Sequence, residues 1–256
     1  MEVISSSVED KLIDSLSYKL DATASYITAR DSATFWASGS NQYSPTGVRV
    51  MKLTINNIDG WLDPSTVKVQ FDIKNLGGNG KMFRMISGPW AFIRRVRVLA
   101  GNGSAVIEDI DYYNLAHEMF HSLQAKHVRD NQDIESGSVR YDSEFGKSLI
   151  EPPFGIKGTS SSTIQYTQAF ETNWISILPN DSKTFSFTLL SGILSQPKFL
   201  PLRYCPLTIE LEVCNNLYDP IIAPSVSGFA SNDLALTTAN TSESWEIYNV
   251  CLKRDI

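Results

Sequence analysis

Apolar and polar residues alternate with a period of two along much of the chain. The clearest examples are Thr66–Lys74, in which every second residue from Val67 to Ile73 is apolar, and Leu207–Cys214. Strands of this kind turn one face toward a core and the other toward polar surroundings. Six less regular runs bring the predicted strands to eight; they are Val48–Ile58, Phe92–Ala100, Ala105–Ile110, Gln168–Leu178, Lys183–Leu190 and Trp245–Lys253.

One segment, Asp111–Gln124, shows helical periodicity instead, and Asp111 is available as its N-cap. Its apolar residues fall at the spacing of one helix face, which we expect to pack on the sheets; they are Tyr112, Leu115, Met119, Phe120 and Leu123. The shorter Ser191–Leu202 contains prolines and is predicted to be a turn or a short helical piece between two strands.

The remaining segments are predicted to be loops or tails. Ser32–Thr46 is rich in Ser, Gly and Asn, and Lys126–Thr167 is polar without a sustained period, so both are predicted to be irregular. Residues 217–243 form a second long loop, and Gly101–Gly103 forms a tight hairpin turn. Residues 1–30 fit either a short amphipathic helix in an arm or a polar tail that orders against a partner.

Eight short strands, long loops and one inserted helix predict an all-β protein, an eight-stranded antiparallel jelly-roll sandwich. We divide the chain into an N-terminal arm at residues 1–32 and a jelly-roll domain at residues 33–256. The predicted strands supply one jelly roll.

The composition of the 256 residues is that of a folded globular protein, with 42% hydrophobic and 20% charged residues. A net charge of −6 does not favour binding to a polyanion. No apolar run approaches the ~18–20 residues of a membrane span, and the acidic N-terminus does not resemble a signal peptide. Three cysteines, Cys205, Cys214 and Cys251, argue against a disulfide framework, so we expect an intracellular setting.

His117-Glu118-Met119-Phe120-His121 matches the zinc-peptidase motif H-E-x-x-H on the predicted helix. Histidines four residues apart share a helix face and can ligate one Zn²⁺, while Glu118 would activate a bound water. His127 follows at the spacing of a third ligand. The alternative function is therefore a zinc metallopeptidase that uses His117, His121 and His127, with Glu135 or Glu144 as substitute third ligands.

Two departures weigh against that alternative. The metzincin pattern places glycine three residues after the second histidine, where this chain has Gln124, and it needs a downstream methionine that this chain lacks. We therefore predict no catalytic residue, no metal site and no cofactor.

Three arginines, Arg94, Arg95 and Arg97, could form a basic patch for nucleic acid. The preferred interpretation is that nearby acidic strand residues pair with them, namely Glu108, Glu210 and Glu212. No nucleic-acid recognition motif accompanies the arginines, so we expect no sequence-specific nucleic-acid binding.

Several segments, taken in order, resemble major capsid proteins of the double jelly-roll lineage, especially those of polinton-like viruses and related mobile elements. The segments are FWASGSNQYSPTGVRVMKLTI (Phe35–Ile55), WLDPSTVKVQF (Trp61–Phe71), SGPWAFIRRVRVLAGNGSAVIEDIDYYNLAHEMF (Ser87–Phe120), SFTLLSGILSQPKFLPLRYCPLTIELEV (Ser186–Val213) and SWEIYNVCLK (Ser244–Lys253). This resemblance covers most of residues 33–256 and implies a place for the histidine helix after an early hairpin. Proteins of that lineage carry two jelly rolls in tandem, so the resemblance implies that this domain is the first of two in a longer protein, or a cleaved product; a single jelly roll is the alternative.

The resemblance implies a structural, non-enzymatic protein of an icosahedral virion that is assembled in the cytoplasm or nucleus of a host cell. Its partners would be copies of itself in trimeric or pseudo-hexagonal capsomers, together with minor or penton capsid proteins, and membrane contact stays open. Apolar loop residues are candidate contact anchors between subunits, or alternatively cap the ends of the sandwich; they are Phe154, Tyr166, Trp174, Ile221 and Ile222.

Overall fold

Thirteen strands and two α-helices follow one another in the computed structural model, which describes residues 31–56, 60–78, 81, 83–101, 103–136, 176–221 and 242–255. The strands are β1 (Ser32–Trp36), β2 (Gln42–Tyr43), β3 (Val50–Ile55), β4 (Trp61–Leu62), β5 (Lys68–Asn75), β6 (Phe83–Arg84), β7 (Ile93–Ala100), β8 (Ala105–Ile110), β9 (Ser176–Ile177), β10 (Ser182–Thr188), β11 (Leu200–Pro201), β12 (Leu207–Val213) and β13 (Trp245–Asp255). The helices are α1 (Tyr113–Leu123) and α2 (Lys126–Ser136), and short 3₁₀ turns lie at Pro64–Thr66 and Pro89–Phe92.

The eight principal strands among the described residues form two antiparallel sheets. The first sheet has the order β1-β13-β5-β10, with the short β2 also paired to β13, and the second has the order β3-β12-β7-β8. Counted along the chain, the first sheet holds principal strands one, eight, three and six, and the second holds two, seven, four and five. This is the strand order of a jelly roll, so the predicted fold class is confirmed.

One hydrophobic cluster fills the space between the sheets. From the first sheet it contains Val69, Phe71 and Ile73 of β5, and from the second it contains Ile209 and Leu211 of β12, all of them inaccessible to solvent. Burial of each such side chain contributes ~1.5–3 kcal/mol relative to an exposed position. The alternating residues of these two strands, which gave the clearest sequence pattern, therefore hold the sandwich together.

The prediction of an irregular Ser32–Thr46 is wrong, because this segment contains β1 and β2. Strand β1 lies at the edge of the first sheet and pairs with the C-terminal half of β13, from Ser32 opposite Asp255 to Trp36 opposite Cys251. Its inward residues are only partly buried, and the segment is rich in small polar residues, so its apolar alternation is weak. Without β1 the first sheet would lack its first strand in the jelly-roll order.

A second correction concerns the number of helices, since α2 lies inside Lys126–Thr167, which was predicted to be irregular. Two of its buried positions are the polar residues Asp133 and Ser136, so the segment shows no apolar period that would reveal a helix. Among the described residues, no helix is long and apolar enough to cross a membrane.

Most other predicted elements appear near their expected bounds. The hairpin between β7 and β8 turns at Gly101 and Gly103, which adopt positive φ angles of 61° and 94°. Ser191–Leu202 consists mainly of turns and ends in β11. Of the predicted strand Gln168–Leu178, only residues 176–178 lie in the described part, where β9 pairs with β6. Residues 1–30 of the predicted arm at residues 1–32 lie outside the described residues, and Ser32 belongs to β1.

Candidate functional site: the histidine helix and its outer face

Helix α1 follows β8 directly and carries the H-E-x-x-H residues. Its N-cap is Tyr112, in the left-handed conformation at φ 51°, and no side chain caps the helix. The prediction that Asp111 is the N-cap is therefore wrong, although the Asp111 carboxylate does accept a hydrogen bond of 3.0 Å from the Tyr112 amide. The sharp left-handed turn directs α1 across the sandwich against β7 and the Pro89–Phe92 turn.

The orientation of α1 is the reverse of the predicted one. The buried side carries Tyr113, His117 and His121, spaced by four residues, and His121 is only 1% exposed. The apolar stripe points outward, with side chains that are 51–76% exposed; it consists of Leu115, Met119, Phe120 and Leu123. The prediction that this stripe packs on the sheets, with the histidines on a polar flank, is wrong.

Trp90 explains why the imidazoles lie inward. Its indole stacks on the His117 ring at a centroid distance of 4.3 Å and 22°, and it meets the His121 ring at 4.8 Å. Flat aromatic surfaces pack favourably in such offset arrangements. Gly88 allows the indole to lie this close to the backbone, because a Cβ at that position would overlap the Trp90 ring.

Three polar groups on this side of α1 have partners elsewhere in the fold. The Trp90 Nε1–H donates to the Glu118 carboxylate at 2.9 Å, and the Leu190 amide donates to the Tyr113 hydroxyl at 2.8 Å. His121 Nε2 lies 3.3 Å from the buried Asp133 carboxylate of α2. Helix α2 therefore supplies a carboxylate to the histidine face of α1.

Burial and, to a smaller extent, the neighbouring His121 lower the pKa of His117 to about 4, although a hydrogen bond with the Thr188 backbone acts in the opposite direction. The imidazole is therefore neutral at physiological pH. A neutral imidazole suits stacking on Trp90, and it explains how two histidines can lie together beneath a helix.

The described residues do not assemble the zinc site of the alternative function. His127 is exposed on α2, Glu118 is engaged by Trp90, and Glu135 forms an ion pair with Lys68. Within the described ranges, no three His, Cys, Asp or Glu side chains are grouped to hold a metal ion. Glu144 lies outside these ranges. Neither the structure nor the comparisons below provide evidence for a metallopeptidase.

A cavity of about 270 Å³ lies beside the imidazoles, between α1, α2 and β10. Its lining includes Trp90, His117 and His121 as well as the paired Lys68 and Glu135. Its volume lies below the ~300–1,000 Å³ that is usual for ligand pockets. We interpret this cavity as a packing gap between the helices and β10, and we do not assign it a ligand.

The three arginines of β7 are ion-paired in the structure. Arg95 Nε donates to Asp109 at 2.7 Å, Arg97 lies 2.9 Å from Glu210, and Arg94 lies 3.5 Å from Asp111. The hydrogen bond from Arg95 holds the pKa of the Asp109 carboxyl below its usual value. Pairing with Glu210 is confirmed, whereas Glu212 pairs with Arg49 and Glu108 binds Ser191.

Of the apolar loop residues predicted as contact anchors, Ile221 is buried in the core cluster and is therefore not an exposed anchor. Phe154, Tyr166, Trp174 and Ile222 lie outside the described residues. The exposed apolar stripe of α1 was missed as a contact surface, because helical periodicity alone does not show which side of a helix meets the core.

No protein-family model matches the chain, and no curated protein matches it. Among solved structures, a chain in the 3.5 Å cryo-EM structure of the Sputnik virophage is similar to it, with a TM-score of 0.47 and 12% sequence identity. The match covers 93% of the present chain and 50% of that chain. The present chain thus spans about half the length of the solved chain it matches.

Proposed function

We propose that this protein is a structural subunit of a viral capsid, which builds an icosahedral shell by association with copies of itself. The observation that carries the proposal is the outward-facing apolar stripe of α1. The function then lies in the shape and association of the subunit, and no residue is assigned a catalytic role.

The stripe has the properties of a contact surface. Its four side chains expose on the order of 500 Å² of apolar area, near the upper end for the largest patch on a monomer. A standard interface buries about 800 Å² on each partner, so α1 would supply more than half of one side. Aromatic and methionine side chains such as Phe120 and Met119 are enriched at such interfaces.

The fold and the sequence resemblance support the same proposal. A sandwich with a single continuous core is a rigid body, which suits a subunit that must repeat its contacts in a shell. Segments in the order of the strands resemble major capsid proteins of the double jelly-roll lineage. The charged side chains of β7 and the acidic residue of the H-E-x-x-H motif are engaged in internal contacts.

The finer features belong to this proposal as well. We propose that the described jelly roll is the first of two in the complete protein, after an arm that ends before β1. The complete protein would form trimeric or pseudo-hexagonal capsomers, contact minor or penton capsid proteins, and be located in the virion. It would bind no nucleic acid sequence-specifically.

A test removes the apolar character of the α1 stripe without disturbing its buried side. In the double variant Phe120→Ser/Leu123→Ser, we expect self-association to weaken by at least 100-fold, because each buried apolar side chain contributes ~1.5–3 kcal/mol. Sedimentation velocity measures the association, and negative-stain images show whether regular particles form. The thermal unfolding midpoint of the unassociated variant should stay near the wild-type value, since both side chains are exposed.

The matched control is Tyr204→Ser, which removes an aromatic side chain that is 80% exposed outside α1. It should leave the association through α1 unchanged. A wild-type protein that stays monomeric under all assembly conditions would contradict the proposal, as would a double variant that associates like the wild type.

A further inference from the structure

Arg254 is a cation enclosed at one end of the sandwich. It lies on β13 opposite Ala33 of the edge strand β1, and only 2% of its surface is exposed. Its guanidinium carbon is 4.4 Å from the centre of the Phe35 ring, also on β1. Strand β1 thus covers the arginine with an aromatic face.

The guanidinium has no anionic or hydrogen-bonding partner in the described structure. Its Nε, Nη1 and Nη2 are all buried and donate no hydrogen bond to a described protein atom. Burial alone lowers the pKa of Arg254 to about 10, which leaves the side chain charged at neutral pH. Ring contact with Phe35 offsets only part of the cost of removing this charge from water.

Buried charges in proteins are normally paired, and a guanidinium presents its five N–H donors in a planar fork that matches a carboxylate. We propose that Arg254 is a binding site for a carboxylate, and that the carboxylate is an acidic side chain of a neighbouring copy of this chain. This inference rests on the proposed self-assembly, and it adds a polar contact at a site separate from the α1 stripe.

The composition of the chain favours a neighbouring copy as the source of the carboxylate, and the edge position of β1 gives such a copy a route to Arg254. The chain carries 28 acidic against 22 basic residues, so its carboxylates outnumber its lysines and arginines. Within one subunit the guanidinium is covered, because Phe35 of β1 lies over it. Since β1 is an edge strand that pairs only with β13 in the described sheet, a docking copy can displace it at lower cost than an inner strand.

The test uses Arg254→Met, which keeps an unbranched side chain on Phe35 and removes the charge. The unfolding midpoint of the dilute, unassociated subunit is expected to rise by about 2–4 °C, because an unpaired buried charge is lost. Self-association measured by sedimentation velocity is expected to weaken at least tenfold. Arg203→Met is the matched control, because Arg203 also lies over an aromatic ring, that of Tyr204, but is exposed; it should change neither quantity.

The other outcomes overturn the proposal in distinguishable ways. A lower midpoint for Arg254→Met would show that the arginine has a partner within its own subunit. A raised midpoint with unchanged association would exclude a neighbour's carboxylate, while leaving self-assembly through α1 intact. A free anion is tested by comparing the unfolding midpoint in sodium acetate with that in sodium chloride at equal ionic strength. If acetate stabilises the wild type but not Arg254→Met, the ligand is a free anion, and the proposal of a neighbouring copy is overturned. A wild type that never associates overturns both proposals.

Discussion

His117 shows how the fold changes the chemistry of one residue. In the sequence it is the first histidine of a zinc-binding pattern, but in the structure its ring lies flat on Trp90 and its pKa is lowered to about 4. A metal ligand must offer its lone pair to an accessible ion. Here burial against an indole makes the neutral imidazole a packing group.

The lowered pKa of His117 predicts a loss of stability in mild acid. The unfolded chain takes up a proton near pH 6.5, whereas the folded chain resists it until about pH 4. The unfolded state therefore binds more protons between these values, and the free energy of unfolding falls as the pH decreases through this range. The loss attributable to His117 is expected to approach about 3 kcal/mol at pH 4 and to level off below it.

Chemical denaturation of wild type and His117→Gln between pH 7 and 4 isolates this contribution, because the carboxylates titrate alike in both proteins. The difference between the two proteins in the free energy of unfolding should shrink toward pH 4. His127→Gln is the control, since His127 is exposed, and it should follow the wild-type curve. A constant difference across the range would show that His117 titrates normally.

At the scale of elements, the sequence predicted strands better than the orientation of the helix. In β5 and β12 the side chains of the inner face are buried between the two sheets, so these strands show apolar alternation in the sequence. Helix α1 has an apolar stripe as well, but that stripe faces outward, because Trp90 provides an aromatic partner and Asp133 a carboxylate for the opposite side. Those partners lie 27 and 12 residues from His117 and His121, and their proximity arises only in the folded chain.

Strand β1 and helix α2 were missed for a related reason. Each element is stabilised mainly by contacts with neighbouring elements, and its own sequence has only a weak apolar period. The inward residues of β1 are Ala33 and Phe35, half-buried at a sheet edge, and α2 turns Asp133 and Ser136 inward. Periodicity analysis detects apolar repeats, so it cannot detect an element whose buried positions are polar or small.

The contact between the two helices provides a test at this scale. Asp133→Asn removes the negative charge that faces His121, and we expect a loss of about 1–3 kcal/mol in the free energy of unfolding. Amide hydrogen exchange should accelerate in Lys126–Ser136 and change little in β5 and β12. Asp130→Asn on the same helix is the control and should leave exchange unchanged. Acceleration throughout the sandwich would mean that α2 does not open separately.

At the scale of the whole molecule, one core joins the two sheets, so the sandwich should unfold as a unit. Phe71 lies at its centre, fully buried, with its ring in an edge contact with Phe187 at 6.0 Å. Phe71→Ala should lower the free energy of unfolding by about 3–5 kcal/mol, through lost burial and the remaining cavity. Denaturation followed by tryptophan fluorescence and by far-ultraviolet circular dichroism should give coincident single transitions in both proteins. Trp61→Ala, at a 52% exposed position, should cost far less. Separate transitions for the two signals would show that the sheets unfold independently. Contacts with neighbouring subunits would then be needed to hold the subunit rigid in a shell.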